Sequence, residues 1–422
     1  MDDIVILGSD KKELHKLLLE IKEYFRKELK LTVKDNWQVF PTFVRGIDFV
    51  GYRTFLNYKL LRKSTCKQMK RKMNRLHKKV IDNNQLMNYS EWCAINSYKG
   101  CACDIGHGEQ SGSGRRIVRI GHNQATDHPI NIGLAEFEKY VEERLGDRFD
   151  IEIFPNELLG AQTDMVQLTQ TGAIDFCVAS NSILETFSDR YTLFNLPYLF
   201  ASTASYHAAM DDEDITSGIF ASTKKAGFEA VTWIDAGTRN FYTVNKEINS
   251  PSDIKGLKIR VQQSPTNVEM MKLLGGSATP MGFGDVYTAL QAHVIDGAEN
   301  NELALTSNGH GDVCKYYSYD RHQMIPDILI GNCEFLESLT EEERAVFDEG
   351  FELFNRIERE EWNNAVEASR ERAQKEQGVT FLYPDTELFR QICLPMHENF
   401  LKEHEELRDI YNVIQMLNEE VE

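Results

Sequence analysis

No run of 18 or more apolar residues occurs in the 422-residue chain, so no segment has the length to cross a bilayer as an apolar helix. The features of a secretory leader are missing at the written start. Met1-Asp2-Asp3 is acidic where such a leader carries Lys or Arg, and the apolar run after it is short. The 8 cysteines form no framework. Cys101-Ala-Cys103 is the close pair, with Cys93 before it and His107 after, and the regular Cys-x2-Cys spacing of a zinc site is absent. No metal is therefore expected, and Cys177 and Cys393, in apolar surroundings, read as buried thiols. Gly-x-Ser-x-Gly, Walker and dinucleotide fingerprints are lacking as well, which leaves an α/β enzyme without a motif and implies no cofactor. Nor is there a repeat of solenoid period.

What is present is charge divided between two parts. The net charge is −19, yet residues 1–100 hold 21 Lys+Arg against 11 Asp+Glu, and residues 101–422 hold 26 against 55. The basic part suits a segment that has met nucleic acid, whereas the acidic part repels nucleic acid and anionic membranes. Between them runs Gly106-His107-Gly108-Glu109-Gln110-Ser111-Gly112-Ser113-Gly114, a composition that buries no core and acts as a tether. The expected organisation is a segment over 1–100, a linker over 101–115 and a larger domain over 116–422.

Beyond the tether, strands alternate with helices. Residues 117–121 read as a strand. Residues 130–145 place Ile132, Leu134, Phe137, Val141 and Leu145 at helical spacing and stop before Gly146. Residues 149–154 alternate, 163–171 form a helix ended by Gly172, and 174–179 an apolar strand. A second set follows: strands over 228–233 and 256–261, helices over 266–274 and 286–293. This alternation predicts mostly parallel sheets covered on both faces, in two α/β lobes with a cleft between them. Thr340 with Glu343 is a capping box and Gly378 a stop. The helix over 340–377 is thus on the order of 50 Å long at 1.5 Å per residue, enough to lie along both lobes.

The informative residues sit at strand ends, where such a cleft opens. Arg260 closes the strand of Gly256-Leu-Lys-Ile-Arg-Val261. Its planar fork fits a carboxylate bidentately; an ion pair with a neighbouring Asp or Glu is the other reading. Ala236-Gly-Thr-Arg239-Asn240 follows another strand, Thr279-Pro-Met-Gly-Phe283-Gly-Asp-Val-Tyr287 a third, and Val294-Ile-Asp-Gly-Ala-Glu-Asn300 comes next. These segments resemble the second lobe of the solute-binding receptors of tripartite ATP-independent (TRAP) transporters for small organic acids. The first lobe fits as well, through Pro155-Asn156, Leu159-Gly160, Asp175-Phe176 and Leu196-Pro-Tyr-Leu-Phe200. The resemblance covers nearly all of 117–415 and implies a two-lobed periplasmic-binding-protein fold.

It further implies that Arg260 clamps the ligand carboxylate, that Arg239 is a second, more variable cation, that Phe283 stacks on the ligand and that Asn300 contacts it. His122, Asn123 and Gln124 would add polar contacts, and Gln162, Ser180 and Gln263 complete the expected set. On the residues alone, Phe283 reads equally as core, His122 as a satisfied loop histidine, Tyr198 and Phe200 as hinge or core, and Glu299 as a holder of backbone or Arg. Sialic-acid-binding relatives would carry charges where Ser180 and Ile183 stand, so sialic acid is not expected. The His122-Asn123-Gln124 run favours a sugar acid or hydroxy acid over a plain dicarboxylate. The implied role is capture by lobe closure and delivery, as a monomer outside the cytoplasm, to a TRAP permease driven by an ion gradient. Without a leader, retention in the cytoplasm is the other outcome.

The first hundred residues resemble something else. Asp2-Asp3 leads into a strand, a helix follows over 11–29, Gly46-Ile-Asp-Phe-Val-Gly-Tyr52 reads as a strand, and 59–79 as a basic helix. This resembles the back half of the palm and the start of the thumb of a bacterial retroelement-type reverse transcriptase. Two-metal polymerisation needs a further carboxylate and the nucleotide-binding fingers, both upstream in that family. Asp2 and Asp3 therefore read as vestigial, with no primer extension expected. An RNA-directed DNA polymerase remains the alternative function, decided by Mg²⁺-dependent extension.

Overall fold

The computed structural model describes residues 114–420 and three short strands before them, β1 (Ile47–Phe49), β2 (Tyr52–Thr54) and β3 (Lys59–Leu61). The chain parts into two compact units, Met1–His107 and Gly108–Glu422. In the first, β1, β2 and β3 form an antiparallel sheet in that order. Phe49 pairs with Tyr52, so Ile47–Phe49 and Tyr52–Thr54 are two antiparallel strands rather than parts of one. Tyr52 pairs with Leu61, so 59–61 is a strand and not the start of a basic helix. Pairing with β2 places this segment in a strand despite its helical local reading. Asp2, Asp3 and the rest of the palm–thumb resemblance lie outside the described residues.

The second unit carries β4 (Arg116–Gly121), β5 (Phe149–Phe154), β6 (Phe176–Ser180), β7 (Phe228–Ile234), β8 (Arg239–Thr243), β9 (Lys258–Val261), β10 (Ser277–Pro280), β11 (Gly297–Asn300), β12 (Tyr316–Gln323), β13 (Asp327–Asn332) and β14 (Thr380–Leu382). They form one lobe with strand order β5-β4-β6-β13-β7 and another with order β10-β9-β11-β8-β12-β14. The fold is the two-lobed one, but the sheets are mixed rather than mostly parallel. β13 runs antiparallel to β6 and β7, and β8 antiparallel to β11 and β12. The cause is the crossing. β7 leaves the first lobe through Asp235–Thr238 to become β8, and β12 returns through 324–326 to become β13. A strand that has just crossed runs against its new neighbours.

The third link is the helix Glu341–Lys375, with Thr340 Oγ1 accepting from Glu343 N at 3.2 Å and Glu343 Oε2 accepting from Thr340 N at 2.9 Å. Its first half packs on the helix Pro129–Leu145, which buries Leu134, Phe137, Val141 and Leu145 on one stripe. Two glycines make that approach possible. A Cβ at Gly133 would stand 2.7 Å from the Phe354 ring, and one at Gly350 would stand 2.9 Å from Phe137. The Phe137 and Phe351 rings then stack at 5.3 Å, part of a cluster with Phe149, Phe176, Phe335 and Phe347. The second half reaches the other lobe, where Ser369 Oγ donates to Glu302 O at 2.7 Å and Ala373 is buried beside Leu305. One rigid element thus rests on both lobes. Cys177 and Cys393 are buried free thiols.

Candidate functional site

The strand ends of both lobes converge on one cavity. Asn123 and Gln124 follow β4, Glu157 follows β5, Arg260 lies in β9, Phe283 follows β10 and Asn300 ends β11; all line it. Because β8 is antiparallel to β11, its first residue, Arg239, comes to the same edge, one register step from the Asn300–Asn240 pair. Gln162 and Gln263 also line the cavity, and Thr163 Oγ1 of the first lobe donates to Gln263 Oε1 of the second at 3.2 Å.

The two arginines differ in what holds them. Arg239 is 4% exposed, and its Nε meets Glu299 Oε2 at 2.6 Å, its Nη2 Glu299 O at 3.0 Å and its Nη1 Asn300 Oδ1 at 3.2 Å. Glu299 is 0% exposed. Burial alone would raise its carboxyl, but the Arg239 charge and a hydrogen bond from His322 outweigh burial and hold it at about 2. Burial pulls the other way on His322, which Asp320 at 2.7 Å and Glu299 at 3.4 Å raise to about 9. Arg239 is therefore neutralised from behind and fixed in orientation.

Arg260 is not neutralised. It is 3% exposed, and its Nε and Nη2 both donate to the Met281 carbonyl, at 3.1 and 2.9 Å. Among the described residues it makes no ion pair, so the surface-pairing reading does not hold. Burial is the largest influence on its guanidinium and draws its pKa below the usual arginine value. Its Cζ lies 5.6 Å from the Phe283 ring. A buried cation whose remaining donors face a polar cavity is built to receive an anion.

Two expected contacts stand behind the wall instead. His122 is 0% exposed and does not line the cavity; its Nδ1 accepts from Gln124 N at 3.2 Å and its Nε2 meets Asn131 Oδ1 at 3.1 Å. Burial lowers it to about 4, so it is a neutral brace for the Gln124 loop. Ser180 is buried too, its N–H donating to Gln162 Oε1 at 3.0 Å. Each acts through a residue that does line the cavity.

The structure adds lining residues that the sequence reading lacked, notably Glu157, Asn301 and Asp327. Asp327 opens β13 directly after a lobe crossing. Burial, opposed by Arg239 and helped by Asp235, raises its carboxyl to about 7. The folded chain thus binds this proton more tightly than the unfolded chain does. Its contribution carries no penalty below about pH 4 and becomes destabilising as pH rises to about 7. Asp327→Asn should therefore gain stability relative to wild type between pH 4 and pH 8, by on the order of 4 kcal/mol. Urea melts of both proteins at the two pH values measure this, and a gap that does not change with pH refutes it.

Against this geometry, the family model described as bacterial extracellular solute-binding protein, family 7 (DctP), matches residues 120–404. A TRAP periplasmic solute-binding protein from Anaerococcus prevotii, solved with bound α/β D-glucuronate, is 60% identical, with a TM-score of 0.72 over 72% of this chain and 99% of that one. Another from Xanthobacter autotrophicus, with bound β-D-galacturonate, is 31% identical, with a TM-score of 0.68 over 71% of this chain and 99% of that one. An uncharacterized protein of Salmonella typhimurium is 37% identical over 302 residues, 72% of this chain and 92% of its own length. The chain belongs to the bacterial extracellular solute-binding protein family 7, the receptors of TRAP transporters.

Proposed function

We propose that this chain captures a hexuronate, D-glucuronate foremost, outside the cytoplasm and delivers it to a TRAP membrane permease. The observation that carries the reading is Arg260: a buried guanidinium that has no ion pair among the described residues, in a cavity rich in amide side chains. Arg239 already has Glu299, so among the described residues lining the cavity Arg260 is the cation left for a ligand carboxylate. Asn123, Gln124, Gln162, Asn300 and Asn301 offer donors and acceptors to hydroxyls. Above about pH 7, where Asp327 and Glu157 are ionised, a second ligand carboxylate would meet two anions, which disfavours C4-dicarboxylates. The relatives solved with glucuronate and galacturonate support the same class. Capture proceeds by closure of the lobes about the two strand crossings, the ligand stabilising the closed state.

A thermal-shift series on the full chain with D-glucuronate, D-galacturonate and succinate tests this. A bound ligand at 100 times its Kd stabilises by about 2.7 kcal/mol. A hexuronate should raise the melting temperature and succinate should not; a shift with succinate alone would contradict the reading.

A further inference from the structure

Glu157 lies on the turn after β5 and reaches from the first lobe to the second. Its Oε2 accepts the Gly284 N–H at 3.1 Å, across 127 residues of chain. Gly284 is what makes room, since a Cβ there would stand 2.4 Å from that same oxygen. The other carboxyl oxygen, Oε1, is sealed from solvent and has no hydrogen-bond partner, although the residue lines the ligand cavity. The backbone is strained into this pose. Asn156 and Glu157 both adopt left-handed conformations, with φ of 58° and 55°. Asn tolerates that region; Glu does not favour it. Hydrogen bonds from Asn156 N to Gln124 O at 2.9 Å and from Glu157 N to His122 O at 3.1 Å hold the strain in place. The charged groups around the carboxyl are Arg260 and Asp285.

We propose that Glu157 is a closure latch and a specificity residue: one carboxyl oxygen fastens the lobes through Gly284, and the other bonds a hydroxyl of the captured acid. The second half rests on the sugar-acid reading above; the first half does not. A turn residue with no such role has no reason to be a strained, half-buried glutamate that lines the cavity and carries an orphaned buried oxygen.

The test uses the full chain with D-glucuronate, followed by calorimetry and stopped-flow dissociation, and with interlobe distances from paired spin labels in the ligand-free protein. Glu157→Ala should weaken binding by about 30-fold or more, and Glu157→Gln should recover part of that loss because its amide oxygen still accepts the Gly284 N–H. Gly284→Ala displaces the carboxyl without altering its charge, and should weaken binding about 10-fold, mainly by faster dissociation. Unchanged affinity and dissociation in both alanine variants overturn the proposal. A loss in Glu157→Ala but not in Gly284→Ala overturns the latch. Should the wild-type chain bind no sugar acid, the uronate reading falls, and the latch is decided by the distances alone. A closed population lost in both alanine variants supports it, and an unchanged distribution overturns it.

Discussion

Arg260→Ala should weaken hexuronate binding by about 2–5 kcal/mol, or roughly 30- to several-thousand-fold, while the ligand-free protein keeps its stability. The asymmetry is the informative part. The receptor segment is acidic, with 55 Asp+Glu against 26 Lys+Arg over 101–422, so long-range steering repels an anion. Affinity must come from local positive charge, and among the described residues Arg260 is the buried cation of the cavity without an ion pair of its own. Removing it leaves the ligand carboxylate buried and unpaired. Without ligand, the same change removes a desolvated charge whose hydrogen-bond partner among the described residues is the Met281 carbonyl, so the fold loses little. Arg260→Lys should recover only part of the affinity, because a point charge does not reproduce the fork. Calorimetry with D-glucuronate, paired with urea melts, separates the two effects. Near-wild-type affinity in a folded Arg260→Ala would remove the carboxylate clamp.

Glu299→Ala should have the opposite profile, a large loss of stability. Glu299 is the counter-ion of the buried Arg239 and also faces His322, itself paired with Asp320. Breaking such a pair strands a charge inside the protein and costs about 3–5 kcal/mol. Binding weakens too, since Arg239, which also bonds Asn300 Oδ1, loses the carboxylate that orients it. Removing Arg239 and Glu299 together should cost less than the sum of the single changes, because neither charge is then left alone. Denaturant melts of the three variants measure this; a Glu299→Ala loss below about 1 kcal/mol would show that the buried network does not carry the load assigned to it.

Much of this was legible in the sequence. The long helix announces itself through the Thr340–Glu343 box, and Arg260 through its place at a strand end followed by the Phe283 and Asn300 segments. The first-lobe helix is visible because Leu134, Phe137, Val141 and Leu145 recur at helical spacing. What escaped was what tertiary contacts decide. β12 reads Tyr-Tyr-Ser-Tyr-Asp-Arg-His-Gln, with no apolar alternation, because Asp320 and His322 are buried by pairing with each other rather than by being apolar. Strand direction escaped because no local signal says which lobe a strand joins after a crossing. His122 carries the chemistry of a ligand contact, but Asn131, nine residues on, turns its ring into a brace. Glu157 gave no signal, since its partner Gly284 becomes a neighbour only when the lobes meet.

Calorimetry of the full chain with D-glucuronate and with D-glucose tests the central claim most directly, because the two sugars differ at the carboxylate that Arg260 is held to receive. The expected result is measurable binding of D-glucuronate and a weakening by about 100-fold or more for D-glucose, the discrimination of a site whose buried cation is left unpaired by the wrong ligand. Equal affinity for the two sugars would contradict it.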